Sequence, residues 1–527
     1  MAAEWIGYRW LAERYGAFPV QPQPIESEIG ATRRTTRHNG TVRETYTAAM
    51  RPADTLSAHL TFALKHEGVF LEQLARLFNV IPEADIRDWI LAERTGQYAR
   101  RAGFLYEWLT GRQLDGVPAV TNGGYVDALD PADYVVATAA VNNMRWRVRD
   151  NLPGSREFCV TVRRTDSVRE AETYDCAAQL DALQAEYGAD VLRRSAVWLT
   201  LKESRASFQI EHEQDKTDRI KRFASVMETR IGAFADPLAL GTLTGLQREI
   251  IGELTTLQHF GLRKSPVFVG ATDHFRDVIH YVAPRWEDVG GMLDGLSAFL
   301  TRTAGASPIA RAAAVAFGFV YIHPLADGNG RVHRFLINDI LRRDNAVPQP
   351  FVLPISAAIA NKAQHLAAYD QVLEVLSRPL MRRYEGDAGF GGHREFEDGV
   401  KSNFTFGAYG DAAFTWRYPD LTAHVEYLAA LIDRTIRTEM RQEAVLIRNW
   451  DRARRLVKEV LDGPNADIDR IIRSVRDNHW DVSGKLSKEF PIIEAANLGA
   501  AIVRAVREAF DVSDEPPAPS DGPHWAV

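Results

Sequence analysis

Cysteine is nearly absent from this sequence. Two residues, Cys159 and Cys176, in a chain of 527 cannot build a disulfide framework, and their scarcity fits a reducing compartment. Neither Cys-x-x-Cys nor His-x-x-x-His occurs, so zinc-type ligand spacing is missing. There is no strong excess of one charge: 63 basic against 70 acidic residues leave a net charge of −7. That excludes a protein that holds nucleic acid by overall positive charge. Long apolar runs are missing as well. The longest, Ala312–Ile322, contains Gly318 and is too short to cross a bilayer. The opening MAAEWIGYRW lacks a basic segment followed by an apolar one, so no secretory leader is expected. Together these absences predict a soluble, cytoplasmic protein. No internal repeat stands out.

What remains is an ordinary globular composition, 46% hydrophobic and 25% charged, which excludes wholesale disorder. The length alone suggests roughly three or four domains. Residues 1–187 read as a mixed, mostly helical region. Within it, residues 17–40 carry prolines, glycines and the basic cluster Arg33, Arg34 and Arg37, and are expected to be irregular. Leu60, Leu64, Phe70, Leu71, Leu74 and Leu77 recur at helical steps. One strand is expected at Glu157–Val162. Residues 188–387 form a helical block interrupted by PVFVG (Pro266–Gly270) and DVIHYV (Asp277–Val282), two β-like runs that suggest a hairpin. A Gly-rich linker is expected at 388–419, a charged helical domain at 420–510, and a disordered, proline-rich acidic tail at 511–527. The fold class is therefore mainly α: a helical core with a β-hairpin, flanked by the N-terminal region and a C-terminal helical domain.

The chemistry concentrates in His323–Arg334, HPLADGNGRVHR. An apolar helix ends at Ile322, where Pro324 cannot continue the ladder. Gly328, Asn329 and Gly330 accept the backbone angles of a tight loop. A second helix follows, with Val332, Leu336 and Ile340 four apart on one face. Such a loop aims several N–H groups at one spot, which with the helix dipole makes an anion site. Arg331 and Arg334 lie three apart, on one side of the first turn. Cations there oppose the dipole unless an anion lies between them. Two guanidiniums and a backbone nest imply a polyphosphate. Asp327 is a hard oxygen ligand suited to magnesium carried with substrate phosphates. His323, four residues earlier, can take a proton from a hydroxyl. A base, a metal carboxylate, a phosphate cradle and an arginine pair support nucleotide-dependent transfer onto a hydroxyl.

The segment resembles the Fic family signature, His-x-Phe-x-Asp/Glu-Gly-Asn-Gly-Arg-x-x-Arg. It departs at Leu325, where phenylalanine is usual; that position packs, so leucine keeps an apolar wedge. The resemblance implies an all-α core that transfers AMP from ATP, with Mg2+, to a Ser, Thr or Tyr hydroxyl of a target protein or of the chain itself. On that pattern His323 deprotonates the hydroxyl and Asp327 holds magnesium. Asn329 with the Gly328 and Gly330 backbone binds the α- and β-phosphates, and Arg331 and Arg334 clamp the outer ones. The expected hairpin is similar to the family's flap, so Val267, Phe268, Val269 and Gly270 are candidates for docking the target by strand addition. The intact Gly-Asn-Gly-Arg loop favours AMP transfer over the phosphorylation of the related Doc kinases.

A second motif lies upstream. Many Fic proteins carry an inhibitory helix, Ser/Thr-x-x-x-Glu-Gly/Asn, and Ser207-Phe-Gln-Ile-Glu211-His212 is similar to it, departing at His212. Ser207 and Glu211 share a helix face one turn apart. The resemblance implies that Glu211 pairs with Arg334 in place of the γ-phosphate, leaving ATP in a non-reactive pose. Glu67-Gly68 is a rival, but Ala63 stands where the motif needs Ser or Thr. Asn361, Lys362 and Tyr369 loosely resemble nucleotide contacts on the family's following helix. Other outcomes stay open at the sequence level. The nucleobase pocket cannot be read, so UMP, GMP or phosphocholine transfer, or AMP removal, fits the same site. A regulatory module with a vestigial site is the other class, with the C-terminal helices recognising a partner. DNA is the less expected partner, and the intact loop argues against a vestigial site.

Overall fold

The computed structural model is described over residues 3–38, 40–211, 213, 217–253, 255–273 and 276–510. The expected tail at 511–527 and the departure at His212 lie outside the described residues.

Helices dominate. The chain opens with β1 (Glu4–Ile6), α1 (Tyr8–Tyr15), β2 (Ile25–Ile29), β3 (Arg34–His38) and β4 (Thr41–Tyr46). The sheet order is β1-β2-β4-β3, with β2 and β4 parallel and the other pairs antiparallel. Two strands therefore occupy the stretch expected to be irregular. Thr35 hydrogen-bonds Glu44 across the strands, and Arg33 lies 4.1 Å over the Tyr46 ring, so cross-strand pairs supply the order. Helices α2 (Leu56–His66), α3 (Leu71–Val80), α4 (Glu83–Ala92) and α5 (Gln97–Thr110) follow. The periodic leucines and Phe70 are buried together there, in a core separate from the main one.

Three short strands, β5 (Val126–Asp127), β6 (Val141–Asn143) and β7 (Val148–Asp150), form a small sheet. The strand expected at Glu157–Val162 does not form. The segment makes only single bridges, Thr161 to Asp420 and Arg163 to Tyr134. Its Phe158, Cys159, Val160 and Val162 are all buried, so the apolar run reflects burial among helices rather than strand pairing.

The main core belongs to α6 (Asp166–Thr173), α7 (Cys176–Tyr187), α8 (Ala189–Ile210), α9 (Thr217–Arg230), α10 (Leu240–Ile251), α11 (Val289–Arg302), α12 (Pro308–Ile322), α13 (Asn329–Arg343), α14 (Ile355–Ala360) and α15 (Ala363–Tyr384). The expected hairpin is present as β8 (Phe268–Asp273) paired antiparallel with β9 (Arg276–Val282). At the centre, α12 begins with a Ser307 cap accepting from the Ala310 N–H and Pro308 in the first turn. Nearly all of α12 is buried. Gly318 lets it approach α11, because a Cβ there would meet Leu296 Cδ1 at 2.9 Å.

The expected linker at 388–419 is instead ordered. It forms a second hairpin, β10 (Ala388–Glu395) and β11 (Lys401–Phe406), and α16 (Tyr409–Arg417). Phe404, Phe406, Tyr409 and Trp416 bury themselves in the main core, and Phe404 packs 4.7 Å from the Phe268 ring. The glycines marked a linker, but alternating aromatics outweigh them by burial. The region beyond also divides differently from the expected 420–510 domain. Helix α17 (Thr422–Arg434), a π-helical stretch at Thr435–Met440 and the start of α18 (Arg441–Val460) share the main core as far as Ala444. A separate cluster starts at Ala453 and takes in α19 (Asn465–Asp477), α20 (Gly484–Glu489), α21 (Ile492–Ala495) and α22 (Gly499–Phe510).

Phe404→Ala is expected to cost about 3–5 kcal/mol, the loss typical of a buried phenylalanine. Urea or thermal melting measures it, and a melt equal to wild type would contradict the placement of this hairpin in the core.

Candidate active site

The loop between α12 and α13 is held from several directions. His323 ends α12 in the left-handed region, φ 49 and ψ 57, an uncommon conformation for a residue with a Cβ. Its N–H still donates to the Phe319 carbonyl. Leu325 is fully buried in the main core, so leucine does serve as the wedge. Asn329 closes the loop with its own side chain: Oδ1 accepts from the Leu325 N–H at 2.9 Å and Nδ2 donates to the Leu325 carbonyl at 2.7 Å. That amide braces the loop and is not directed at a ligand. Gly328, with φ 92, turns the chain into α13.

His323 Nδ1 lies 3.3 Å from the Val320 carbonyl. A carbonyl only accepts, so Nδ1 carries the proton and Nε2 of the neutral ring is left with a free lone pair. Burial first, and the Arg263 cation second, lower the His323 pKa to about 4.

The two arginines are 2% and 1% exposed, and carboxylates surround them. Glu211 bridges both: Oε1 lies 2.5 Å from Arg334 Nη2 and Oε2 lies 2.9 Å from Arg331 Nε. Arg334 Nε also donates to Ser207 Oγ at 2.7 Å, and Nη2 donates to the Ser207 carbonyl at 3.2 Å. Both residues of the upstream motif thus converge on Arg334. Arg331 engages two further carboxylates, Glu213 at 3.2 Å and Asp327 at 2.9 Å, and lies 5.0 Å over the Phe208 ring. Gly330 leaves the space for this, since a Cβ there would stand 2.4 Å from Glu211 Oε1. Helix α8 itself is pinned by Glu203, fully buried one turn before Ser207. Its carboxylate accepts from the Ser356 N–H and Oγ, both at 2.6 Å, at the start of α14. Burial raises its pKa to about 7.

These groups open onto one cavity of about 970 Å3, a size suited to a nucleotide-scale ligand. His323, Asp327, Gly328–Gly330, Arg334 and Glu211 line it together with Val267, Phe268, Val269 and Tyr369. Arg331 stands behind the wall, reached through Glu211 and Asp327. Of the flap residues, Gly270 is not part of the lining; it permits close strand approach, because a Cβ would meet the Val278 carbonyl at 2.4 Å. Tyr369 lines the cavity as the sequence suggested, while Asn361 borders a smaller cavity beside Trp198, and Lys362 is not in the main lining. Among the described residues, no group of three or more His, Cys, Asp or Glu is arranged to hold a metal. A half-exposed single carboxylate, Asp327, fits magnesium that arrives with phosphates and keeps several waters, not an all-protein cage.

Three residues here carried no readable signal. Gln247 on α10 donates to the Asp327 carbonyl at 3.0 Å and accepts from the Gly261 N–H at 2.7 Å. Glu213 is one of three acids within five residues, Glu211, Glu213 and Asp215, with no spacing that singles it out. Arg263 donates to the His323 carbonyl at 2.7 Å from a turn with no motif.

The Fic/DOC family profile matches residues 237–341, which include the hairpin and the whole loop but not Ser207 or Glu211. Over 121 residues the chain is 30% identical to protein adenylyltransferase fic-1 of Caenorhabditis elegans, covering 23% of this chain and 22% of that protein. Over 153 residues it is 26% identical to protein adenylyltransferase Fic of Aedes aegypti, covering 28% and 27%. The chain thus spans about a quarter of the length of these curated relatives. A Fic family crystal structure from Desulfovibrio desulfuricans G20 is similar at a TM-score of 0.36 and 18% identity, over 60% of this chain and 87% of that one.

The depressed pKa has a definite sign. Between about 4 and the ordinary value near 6.5, the unfolded chain binds a proton on His323 that the native protein does not. Its contribution to stability is present above that window and is lost as pH falls through it. An NMR titration of the His323 ring is expected to show a neutral, Nε2-unprotonated imidazole from about pH 8 down to about pH 5.5. A midpoint at an ordinary histidine value would contradict the lowered pKa.

Proposed function

Starting from a chain whose residues 237–341 are a Fic/DOC family segment, we propose a protein adenylyltransferase that moves AMP from ATP to a Ser, Thr or Tyr hydroxyl and restrains itself through Glu211. The observation that carries this reading is one cavity lined at once by His323, Asp327, the Gly328–Gly330 loop and Arg334. The relatives' names supply the coarse chemistry, since both are called protein adenylyltransferases.

The target hydroxyl enters beside the flap, its backbone lying along Val267–Val269. Nε2 of His323, unprotonated at neutral pH, takes the hydroxyl proton as the oxygen attacks the α-phosphorus. The bond from the α-phosphorus to the bridging oxygen breaks, AMP stays on the target as a phosphodiester, and pyrophosphate leaves. The loop N–H groups at the start of α13 receive the phosphate charge that develops. Asp327 would hold magnesium, which when bound neutralises phosphate charge.

Glu211 occupies the guanidinium face of Arg334 that the outer phosphate needs. While it does so, the triphosphate cannot reach the in-line pose. Its second oxygen on Arg331, with Glu213 behind it, makes the restraint a two-carboxylate one. Releasing it means lifting the end of α8 rather than turning one side chain.

Glu211→Gly is expected to raise AMP incorporation by about 5- to 150-fold, the range of a typical inter-site coupling. Incubation with magnesium and α-labelled ATP, read by intact mass and gel, measures it. Adding His323→Ala is expected to remove about 10²–10⁴-fold of that rate. Absence of label in Glu211→Gly, with and without cell lysate, would overturn the reading. Glu213→Ala alone is expected to raise the rate in the same assay by less than Glu211→Gly, since Arg334 stays covered. A larger gain would place the restraint on Arg331.

A further inference from the structure

Arg263 lies outside every motif, in the turn FGLRKSP between α10 and β8. Its side chain is 1% exposed. A buried guanidinium normally finds a carboxylate. Arg263 instead spends its hydrogen bonds on main-chain carbonyls: Nε on His323 at 2.7 Å, Nη1 on Ser265 at 3.0 Å, and Nη2 on Pro284 at 2.6 Å and Ile322 at 3.4 Å. Its own N–H donates to the Pro324 carbonyl at 2.9 Å. One residue thus holds three consecutive residues, Ile322, His323 and Pro324.

The identity of the other two carbonyls matters. Ser265 precedes β8 and Pro284 follows β9, so they are the two feet of the flap hairpin. A guanidinium is a rigid planar fork, so its acceptors are fixed relative to one another. The end of α12 is also the negative end of a helix, where a cation is favoured and orphan carbonyls need donors. Arg263 meets those needs in one group, and does so at the residue with the unusual backbone, His323. Burial brings its pKa down to about 10, which leaves it cationic at neutral pH. The second hairpin steadies the arrangement: Asp398 accepts from the Lys264 N–H and from Ser265 Oγ, both at 2.7 Å.

We propose that Arg263 is a positioning residue that sets the register between the flap and His323, so that a hydroxyl on a docked target meets the imidazole. It acts through two other elements and touches neither nucleotide nor target. The proposal rests on the reading of His323 as the base and of the hairpin as the docking edge. It separates two properties. The phosphate cradle at Gly328–Arg334 is held by Asn329, Gln247 and α8, none of which Arg263 contacts through its side chain. Nucleotide binding is therefore left alone while the chemical step suffers.

The test uses the full chain in the Glu211→Gly background, with Arg263→Lys as the variant that keeps the charge and loses the fork. The expected result is a kcat for AMP transfer lower by about 10- to 100-fold, the cost of a displacement near 1 Å, with the KM for ATP within about threefold of the parent. Unchanged kcat, or kcat and KM worsening together, would overturn the proposal. A parent that transfers no AMP defeats the functional reading instead, and a readout free of activity then decides. Ring 15N shifts of His323, assigned by their loss in His323→Ala, are expected to move from a single tautomer toward a mixture in Arg263→Lys; unchanged shifts overturn the proposal. Should Arg263→Lys not fold, Asp398→Asn loosens the flap foot from the other side. A smaller fall in kcat at constant KM is expected there, and no fall would overturn the proposal.

Discussion

Two guanidiniums buried at the start of a helix impose the constraint on which the rest of this site depends. Arg331 and Arg334 are nearly inaccessible and stand where the α13 dipole is already positive. An unpaired buried charge is several kcal/mol uphill, so an anion must always lie against them. Here Glu211 spans both, with Glu213 and Asp327 completing the shell around Arg331. Much of the surrounding structure follows from that requirement. Gly330 has no side chain because a carboxylate needs its space. Ser207 sits opposite Arg334, where its hydroxyl takes Nε, which Glu211 does not reach, and its carbonyl shares Nη2 with Glu211. Glu203, buried and bound to the start of α14, anchors the helix that delivers the carboxylate.

The same constraint underlies the proposed restraint. A carboxylate and a phosphate are alternative partners for one guanidinium, and both satisfy it. Exchange therefore replaces one pairing with another and leaves no naked charge at either end. Asp327 pairs with Arg331 and also lines the cavity, so a cation proposed to bind it would compete with Arg331 for one carboxylate. The histidine side of the cavity is built differently. His323 is held by backbone geometry, by Leu325 in the core and by Arg263. The histidine is thus fixed by main-chain and core contacts, while the arginines are met by carboxylate side chains.

The legible parts of the sequence were those whose chemistry is local. The order His323, Pro324, Asp327, Gly-Asn-Gly, Arg331, Arg334 encodes a helix stop, a tight loop and a helix start within twelve residues, and each follows from backbone sterics. Helical periodicity found the leucines of α2 and α3, and a turn between two β-rich runs found the flap. Errors arose where burial outweighed local propensity. The glycines of 388–395 read as a linker, yet Phe404, Phe406 and Trp416 draw that segment into the core. Glu157–Val162 read as a strand, yet its apolar residues serve packing among helices. Glu203 and Glu213 belong to no motif, because nothing in a sequence says which acid of a charged stretch meets a neighbour.

The sequence by itself determined the candidate site groups and their spacing, because one loop and the first turn of one helix carry them and short-range geometry leaves little freedom. It also contained the Ser207–Glu211 pair, since one helical turn puts both on one face. Only the tertiary structure decided what that face meets. More than a hundred residues separate Glu211 from Arg334, and no local rule brings them together. The same holds for Arg263, whose four carbonyl acceptors come from α12 and from both ends of a hairpin. Hydrogen bonds of that kind depend on where separate elements pack, and packing is settled by the shared burial of the whole core.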